Sequence, residues 1–208
     1  MKPKRKKPRT RRLQQQRLRG RNIFRQNLPR SEVALSAKSD GHGSSNQYGK
    51  PVVKEFIESP NQSSRNGDKI EMIVLHCTEG SLSSTLAEFQ NPRGRRVSAH
   101  YVIDRNGDIF QMVRDGERAN HCRGANGKSI GIEHVGGEND LLAKAQANAS
   151  ISLIRWLIEQ YDISRNSIYG HDFTPGYDKS HGGTSCPDKL FGSPHDQRTI
   201  SSWVHANV

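Results

Sequence analysis

A chain of 208 residues has room for one domain of ordinary size and an appendage, and a hydrophobic fraction of 32% is low for a chain folded along its whole length. The net charge of +11 by itself points to nucleic acid or an anionic surface. Residues 1–30, however, carry 13 Lys and Arg and no acid, leaving 19 basic against 21 acidic side chains elsewhere, so no basic face continues beyond the arm and nucleic acid is not the expected partner.

In chain order, residues 1–30 are a like-charge block with few apolar side chains, and a disordered arm is expected there. Its apolar positions Leu13, Leu18, Ile23 and Phe24 are too few for membrane insertion. Residues 31–67, rich in Ser, Gly, Asn and Lys, read as a flexible linker with one docked turn near Val52 to Ile57, and 68–208 as the folded domain. Ile70 to His76 is a short β-rich run, and Leu82 to Gln90 a short helix. Ser98 to Asp104 and Asp108 to Val113 flank Arg105-Asn106-Gly107, whose Asn-Gly pair signals a hairpin. Ser129 to Val135 is a further strand. Leu141 to Tyr161 is the longest helix candidate, with Ala147, Ile151, Ile154, Ile158 and Tyr161 as its apolar stripe. Ile168 to Gly170 reads as a strand end and Asp196 to Ala206 as a last helix. Together these predict an α/β domain, a mixed central β-sheet flanked by helices.

Three cysteines, Cys77, Cys122 and Cys186, are an odd number and argue against a disulfide framework. No apolar run approaches the ~20 residues of a membrane span, and no apolar stretch follows the basic N-terminus as in a secretory signal. His76 closes the first strand, His171 follows Tyr169-Gly170, and Cys186 lies in a Gly/Thr/Ser loop. Two neutral imidazoles and a thiolate suit zinc and leave a fourth position for water. Spacing alone leaves open a set of ordinary histidines and a buried thiol, since the three are spread over 110 positions. On the strand from Ser129, alternation puts Gly131, Glu133 and Val135 on one face and Ile130, Ile132 and His134 on the other. A carboxylate there can move a proton beside a metal-activated water, or be a solvated edge charge.

The local sequences narrow these alternatives. Ile73-Val74-Leu75-His76-Cys77-Thr78 resembles the "VLH-x-T" opening of the zinc N-acetylmuramoyl-L-alanine amidase family, which includes phage lysins, bacterial amidases and peptidoglycan recognition proteins. Val97-Ser98-Ala99-His100-Tyr101-Val102-Ile103, with Gly107, Ile109 and Gln111, is similar to its hairpin. Ala119-Asn120-His121, Asn126 and Ser129-Ile130-Gly131-Ile132-Glu133 resemble its "A-W-H…N-x-x-SIGIE" block. Tyr169-Gly170-His171-Asp172-Phe173-Thr174-Pro175-Gly176 resembles "GH-x-D-x-x-PG", and Thr184-Ser185-Cys186-Pro187 resembles "T-x-C-PG". Five blocks stand in the family's order over about residues 70–192.

The resemblance implies a hydrolase of the bond between N-acetylmuramic acid and L-alanine in peptidoglycan, working as a phage endolysin or bacterial cell-wall amidase. A non-catalytic peptidoglycan-binding module on the same fold is the alternative. It implies Zn2+ on His76, His171 and Cys186, Glu133 as catalytic carboxylate, Thr184 as a helper of the oxyanion, and His121 and Asn126 as substrate-binding. A monomer is expected, synthesised in the cytoplasm and acting at the cell wall after release, its arm attracted to the anionic bacterial envelope. The sequence departs from the family at Ala99, where one branch has a catalytic Tyr, which makes Tyr101 a packing residue. Asn120 stands where Trp is usual, and Asp188 where Gly is common. The 15-position interval from His171 to Cys186 is long and contains His181, a competing ligand. Cys77 is expected to face away from the metal and pack in the core.

Overall fold

Ile73, Val74 and Leu75 are buried on both sides, as in a central parallel strand. In the computed structural model, which describes residues 47–137 and 139–208, they form the middle of β3 (Met72–Cys77). The arm expected over residues 1–30 lies outside the described residues, as does the first part of the expected linker. The other strands are β1 (Glu55–Phe56), β2 (Gln62–Ser64), β4 (Tyr101–Ile103), β5 (Ile109–Gln111), β6 (Glu117–Ala119), β7 (Ser129–His134) and β8 (Ile168–Gly170). The helices are α1 (Leu82–Phe89), α2 (Lys144–Tyr161) and α3 (Gln197–Asn207).

Six strands make one mixed sheet in the order β1-β5-β4-β7-β3-β8. Only β4 and β5 pair antiparallel within it, through the expected hairpin. Gly107 turns that hairpin at φ +91°, and a Cβ there would lie 2.9 Å from Ala145 O, so the position suits only glycine. β2 and β6 form a separate antiparallel pair.

Period-2 alternation divides the side chains between two layers. Ile73, Leu75, Ile130 and Ile132 pack against Leu153, Ile154 and Leu157 of α2 and Ile200 and Val204 of α3. On the opposite face Val102 and Phe110 meet Phe89, Leu82 and Leu86 of α1. Helices on both faces of a mixed sheet are the α/β architecture expected from the order of elements.

Two expectations are corrected in part. Of the predicted stripe of α2, Ile154 is buried and Ile151, Ile158 and Tyr161 pack partly buried against the core, but the most buried positions also include Gln146, Ser150, Leu153 and Leu157. Polar side chains take the inner face because each has a partner there. Gln146 Nε2 donates to Ile103 O and Val135 O, both at 3.0 Å, and Ser150 Oγ pairs with His134 Nε2 at 2.9 Å. The linker expected over 31–67 is, over its described residues, part of the domain. β1 adds to the sheet beside β5, β2 pairs with β6, and Ser59, Asn61 and Arg65 are buried. Asn61 Nδ2 donates to the carbonyls of Phe89, Asn91 and Val97, and Arg65 donates to those of Asp115, Gly127 and Ser129. These residues look like linker because their contribution is to satisfy buried carbonyls rather than to bury carbon.

Candidate metal centre and catalytic cleft

β8, β3 and β7 are parallel neighbours, and their C-terminal ends lie side by side, where open α/β sheets present their ligand sites. Register aligns His76 with Glu133 across β3 and β7, and Leu75 with Gly170 across β3 and β8. His171 therefore leaves the sheet beside His76. Cys186 arrives from a loop tied to this edge: Asp172 N–H donates to Cys186 O at 3.1 Å, and Cys77 N–H donates to Cys186 Sγ at 3.2 Å. Cys77 itself packs in the core cluster.

The ligand atoms of His76, His171 and Cys186 all lie within 4.8 Å of one another. His76 Nδ1 is 3.6 Å from Cys186 Sγ and 3.9 Å from Glu133 Oε1. His171 Nε2 and Glu133 Oε2 are buried without a hydrogen-bond partner. Burial lowers the pKa of His76 well below the ordinary value, with His171 adding to it, and lowers that of His171 to about 4. Burial pushes the Cys186 thiol up, and raises the Glu133 carboxyl well above the usual range, with Cys77 and Glu79 adding to it. A divalent cation would offset each penalty: it needs neutral imidazoles and favours thiolate and carboxylate. Two imidazole nitrogens and a sulfur with unspent valences fit a metal ion.

The site opens into a cleft of about 440 Å³, with Thr184, Glu133, Asn120 and Arg95 on its walls. Thr184 Oγ1 accepts from Cys186 N–H at 3.0 Å, leaving its own proton free to donate. His121 also lines the cleft, its Nδ1 3.0 Å from His76 Nε2. Asn126 is not among the residues lining the cleft; its Oδ1 accepts from the main-chain N–H groups of His121 and Cys122. His181 stands away from the cluster with its side chain 68% exposed, near Asp178. Asp188 adopts φ +49°, the left-handed conformation that favours glycine and that Asp tolerates, which accounts for the common Gly of this loop.

Sequence reading missed several contributors. His134 Nδ1–H donates to His76 O at 3.0 Å while Ser150 holds its other nitrogen, so the α2 side of the sheet braces the main chain of a candidate ligand. Arg95, 3.2 Å from Glu88, forms a charged wall of the cleft. Its one signal was the basic run Arg93-Gly94-Arg95-Arg96.

Burial also gives the fold a pH dependence. His76, His121, His100, His134 and His171 all have lowered pKa values, about 3 for His100 and about 4 for His134. An unfolded histidine titrates near 6.5, so below that pH the unfolded chain binds protons that the folded chain refuses. The stability this provides is complete above about 6.5 and is lost as pH falls toward 4. Glu133, with a raised pKa, opposes the trend but is one group against five. Thermal unfolding of chelator-treated protein should therefore show a midpoint that drops steadily from pH 7 to pH 4.5. A midpoint that holds or rises would mean that these histidines are not buried as neutral groups.

Residues 66–189 match the family model for N-acetylmuramoyl-L-alanine amidase. N-acetylmuramoyl-L-alanine amidase A from Achromobacter lyticus is 35% identical over 133 residues, which cover 61% of this chain and 73% of that protein. Among solved structures, a mutant endolysin from Bacillus subtilis aligns with a TM-score of 0.57 at 23% identity, over 76% of this chain and 100% of its own, a likeness of fold. A selenomethionine derivative of AmpD aligns with a TM-score of 0.52 at 26% identity, over 60% of this chain and 89% of its own.

Proposed function

The chain belongs to the N-acetylmuramoyl-L-alanine amidase family, and from that premise we propose how it hydrolyses the amide between N-acetylmuramic acid and L-alanine in peptidoglycan. The residues proposed to hold a zinc ion are His76, His171 and Cys186. When bound, zinc supplies Lewis acidity, polarising a carbonyl and acidifying water. Glu133 takes a proton from the attacking water and returns it to the L-alanine nitrogen as the C–N bond breaks. Thr184 donates its free hydroxyl proton to the oxygen that gains charge as the carbonyl carbon becomes tetrahedral. Cys77 N–H, which donates to Cys186 Sγ, Cys186 N–H, which donates to Thr184 Oγ1, and the His134 brace on the His76 main chain hold the ligands in place.

The observation that carries this reading is Glu133. Its Oε2 is buried without a partner, and its Oε1 lies 3.9 Å from Nδ1 of His76, one of three converging ligand atoms. Such a group costs stability in any protein that does not use it, which favours an enzyme over a peptidoglycan-binding module on the same fold. Among the described residues no helix is long and apolar enough to cross a membrane. We place the enzyme at the cell wall as a monomer after release from the cytoplasm, in the manner of an endolysin. Its arm, residues 1–30, would concentrate it on an anionic envelope.

Digestion of purified peptidoglycan by the zinc-loaded chain tests the reading. New free amine on L-alanine, with the glycan strands intact, is the expected product. If no such amine forms, the chain is not acting as this hydrolase. Running the same digest on whole cells with residues 1–30 deleted should slow it at low salt and not at high salt. Equal rates at low salt would remove the role given to the arm.

A further inference from the structure

His121 has its ring in a built seat. Asn126 Oδ1 holds the main chain of His121 and Cys122 at 3.0 and 2.6 Å. The ring lies over Gly131 of β7, where a Cβ would come within 2.5 Å of His121 Cγ and 2.6 Å of its Nδ1. Only glycine at 131 leaves room for it. Both ring nitrogens are engaged: Nε2 is 3.1 Å from Ser129 Oγ, and Nδ1 is 3.0 Å from His76 Nε2. No nitrogen is left for a substrate group.

The direction of this chain can be read from its far end. Ala125 O carries no proton, so Ser129 Oγ–H donates to it at 2.8 Å. A hydroxyl has one proton, and Ser129 Oγ must then accept from His121 Nε2–H. His121 Nδ1 is left bare and accepts from His76 Nε2–H. That leaves His76 Nδ1 bare, and this is the atom that faces Cys186 Sγ at 3.6 Å. The reverse direction would put the proton on His76 Nδ1 and close that ligand position.

We propose that His121 is a positioning residue: with Ser129 and Ala125 it locks His76 in the tautomer whose Nδ1 lone pair points into the metal site. The inference rests on the proposed role of His76 as a ligand. It assigns to His121 the task of orienting a metal ligand in place of the substrate contact that the resemblance implied. Groups of this kind typically account for 10–100-fold in metal affinity.

The test uses the full chain and two readouts apart from activity. In chelator-treated protein labelled with 15N histidine, His76 should show a bare Nδ1 and a protonated Nε2. Zinc affinity, measured by competition with a chromogenic chelator, should fall about 10–100-fold in His121→Phe. His121→Gln, whose amide oxygen can accept from His76 Nε2–H, should recover most of it. If His121→Phe fails to fold, Ser129→Ala removes one oxygen and should leave His76 a mixture of tautomers with weakened zinc binding. A wild-type His76 protonated at Nδ1, or folded His121→Phe and Ser129→Ala proteins that bind zinc as the wild type does, would overturn the proposal. A wild-type chain that binds no zinc would instead overturn the metal assignment, with the His76 tautomer still readable.

Discussion

Glu133→Gln is expected to lower kcat by about 10²–10⁴-fold, the usual contribution of a positioned acid–base group, with little change in KM or in zinc content. The substitution keeps the shape of the side chain and removes its ability to take a proton. The carboxyl lies at the end of β7, in register with His76, and its Oε1 is 3.9 Å from His76 Nδ1. Its neighbours do not replace it. Thr184 is a neutral donor, and Glu79 and Glu88 lie elsewhere on the cleft wall. Burial raises the Glu133 pKa well above the carboxylate range, so the wild-type ion is costly in the metal-free fold. The same variant should therefore melt at a higher temperature than the wild type when both are metal-free at pH 8. That gap should close as pH falls and the wild-type carboxyl takes up its proton. Rates of amine release and metal content on one preparation decide the matter. A Glu133→Gln enzyme with more than a tenth of the wild-type kcat would remove Glu133 from the chemistry.

The second large effect concerns the metal ligands. Chelation is expected to abolish turnover and to lower the melting temperature, and added zinc to restore both. A bound ion at a thousand times its Kd stabilises the fold by about 4 kcal/mol. Cys186→Ala removes the sulfur and should lose both activity and the zinc-dependent rise in melting temperature. The two competing histidines should separate cleanly. His171→Ala should behave like Cys186→Ala, because its Nε2 is buried, without a partner, and within 4.8 Å of the other ligand atoms. His181→Ala should leave zinc binding and turnover unchanged, because His181 is exposed near Asp178. The opposite pattern would exchange the roles of the two histidines.

How much of this was legible beforehand differs from one element to the next. β7 was legible in detail. Its alternation separates Ile130, Ile132 and His134 from Gly131 and Glu133, and the cores on the two faces follow that division. The hairpin at Asn106-Gly107 was also visible, because a left-handed turn needs glycine. Of the segment from Tyr48 to Gly67 only the docked stretch near Val52 to Ile57 was, where β1 joins β5; the rest was not, since its part is played by Asn61 and Arg65 binding carbonyls of distant residues. A hydropathy pattern registers what a side chain is and not which partner awaits it. The inner face of α2 was legible only in part for the same reason: Ile151, Ile154, Ile158 and Tyr161 meet the core as expected, but Gln146 and Ser150 also face inward.

The sequence by itself determined the family, the class of fold and the short list of chemical groups, because each block carries its residue types and their local periodicity within a few positions. Tertiary structure alone decided which of these groups meet. His76, His171 and Cys186 converge because β3, β7 and β8 lie parallel with their C-terminal ends together, and because the Cys186 loop is tied to that edge by Asp172 and Cys77. It also decided that His121 turns both nitrogens to Ser129 and His76, and that His181 stays outside. Strand register and loop closure are set by packing between residues far apart in the chain, and spacing along the chain does not encode them.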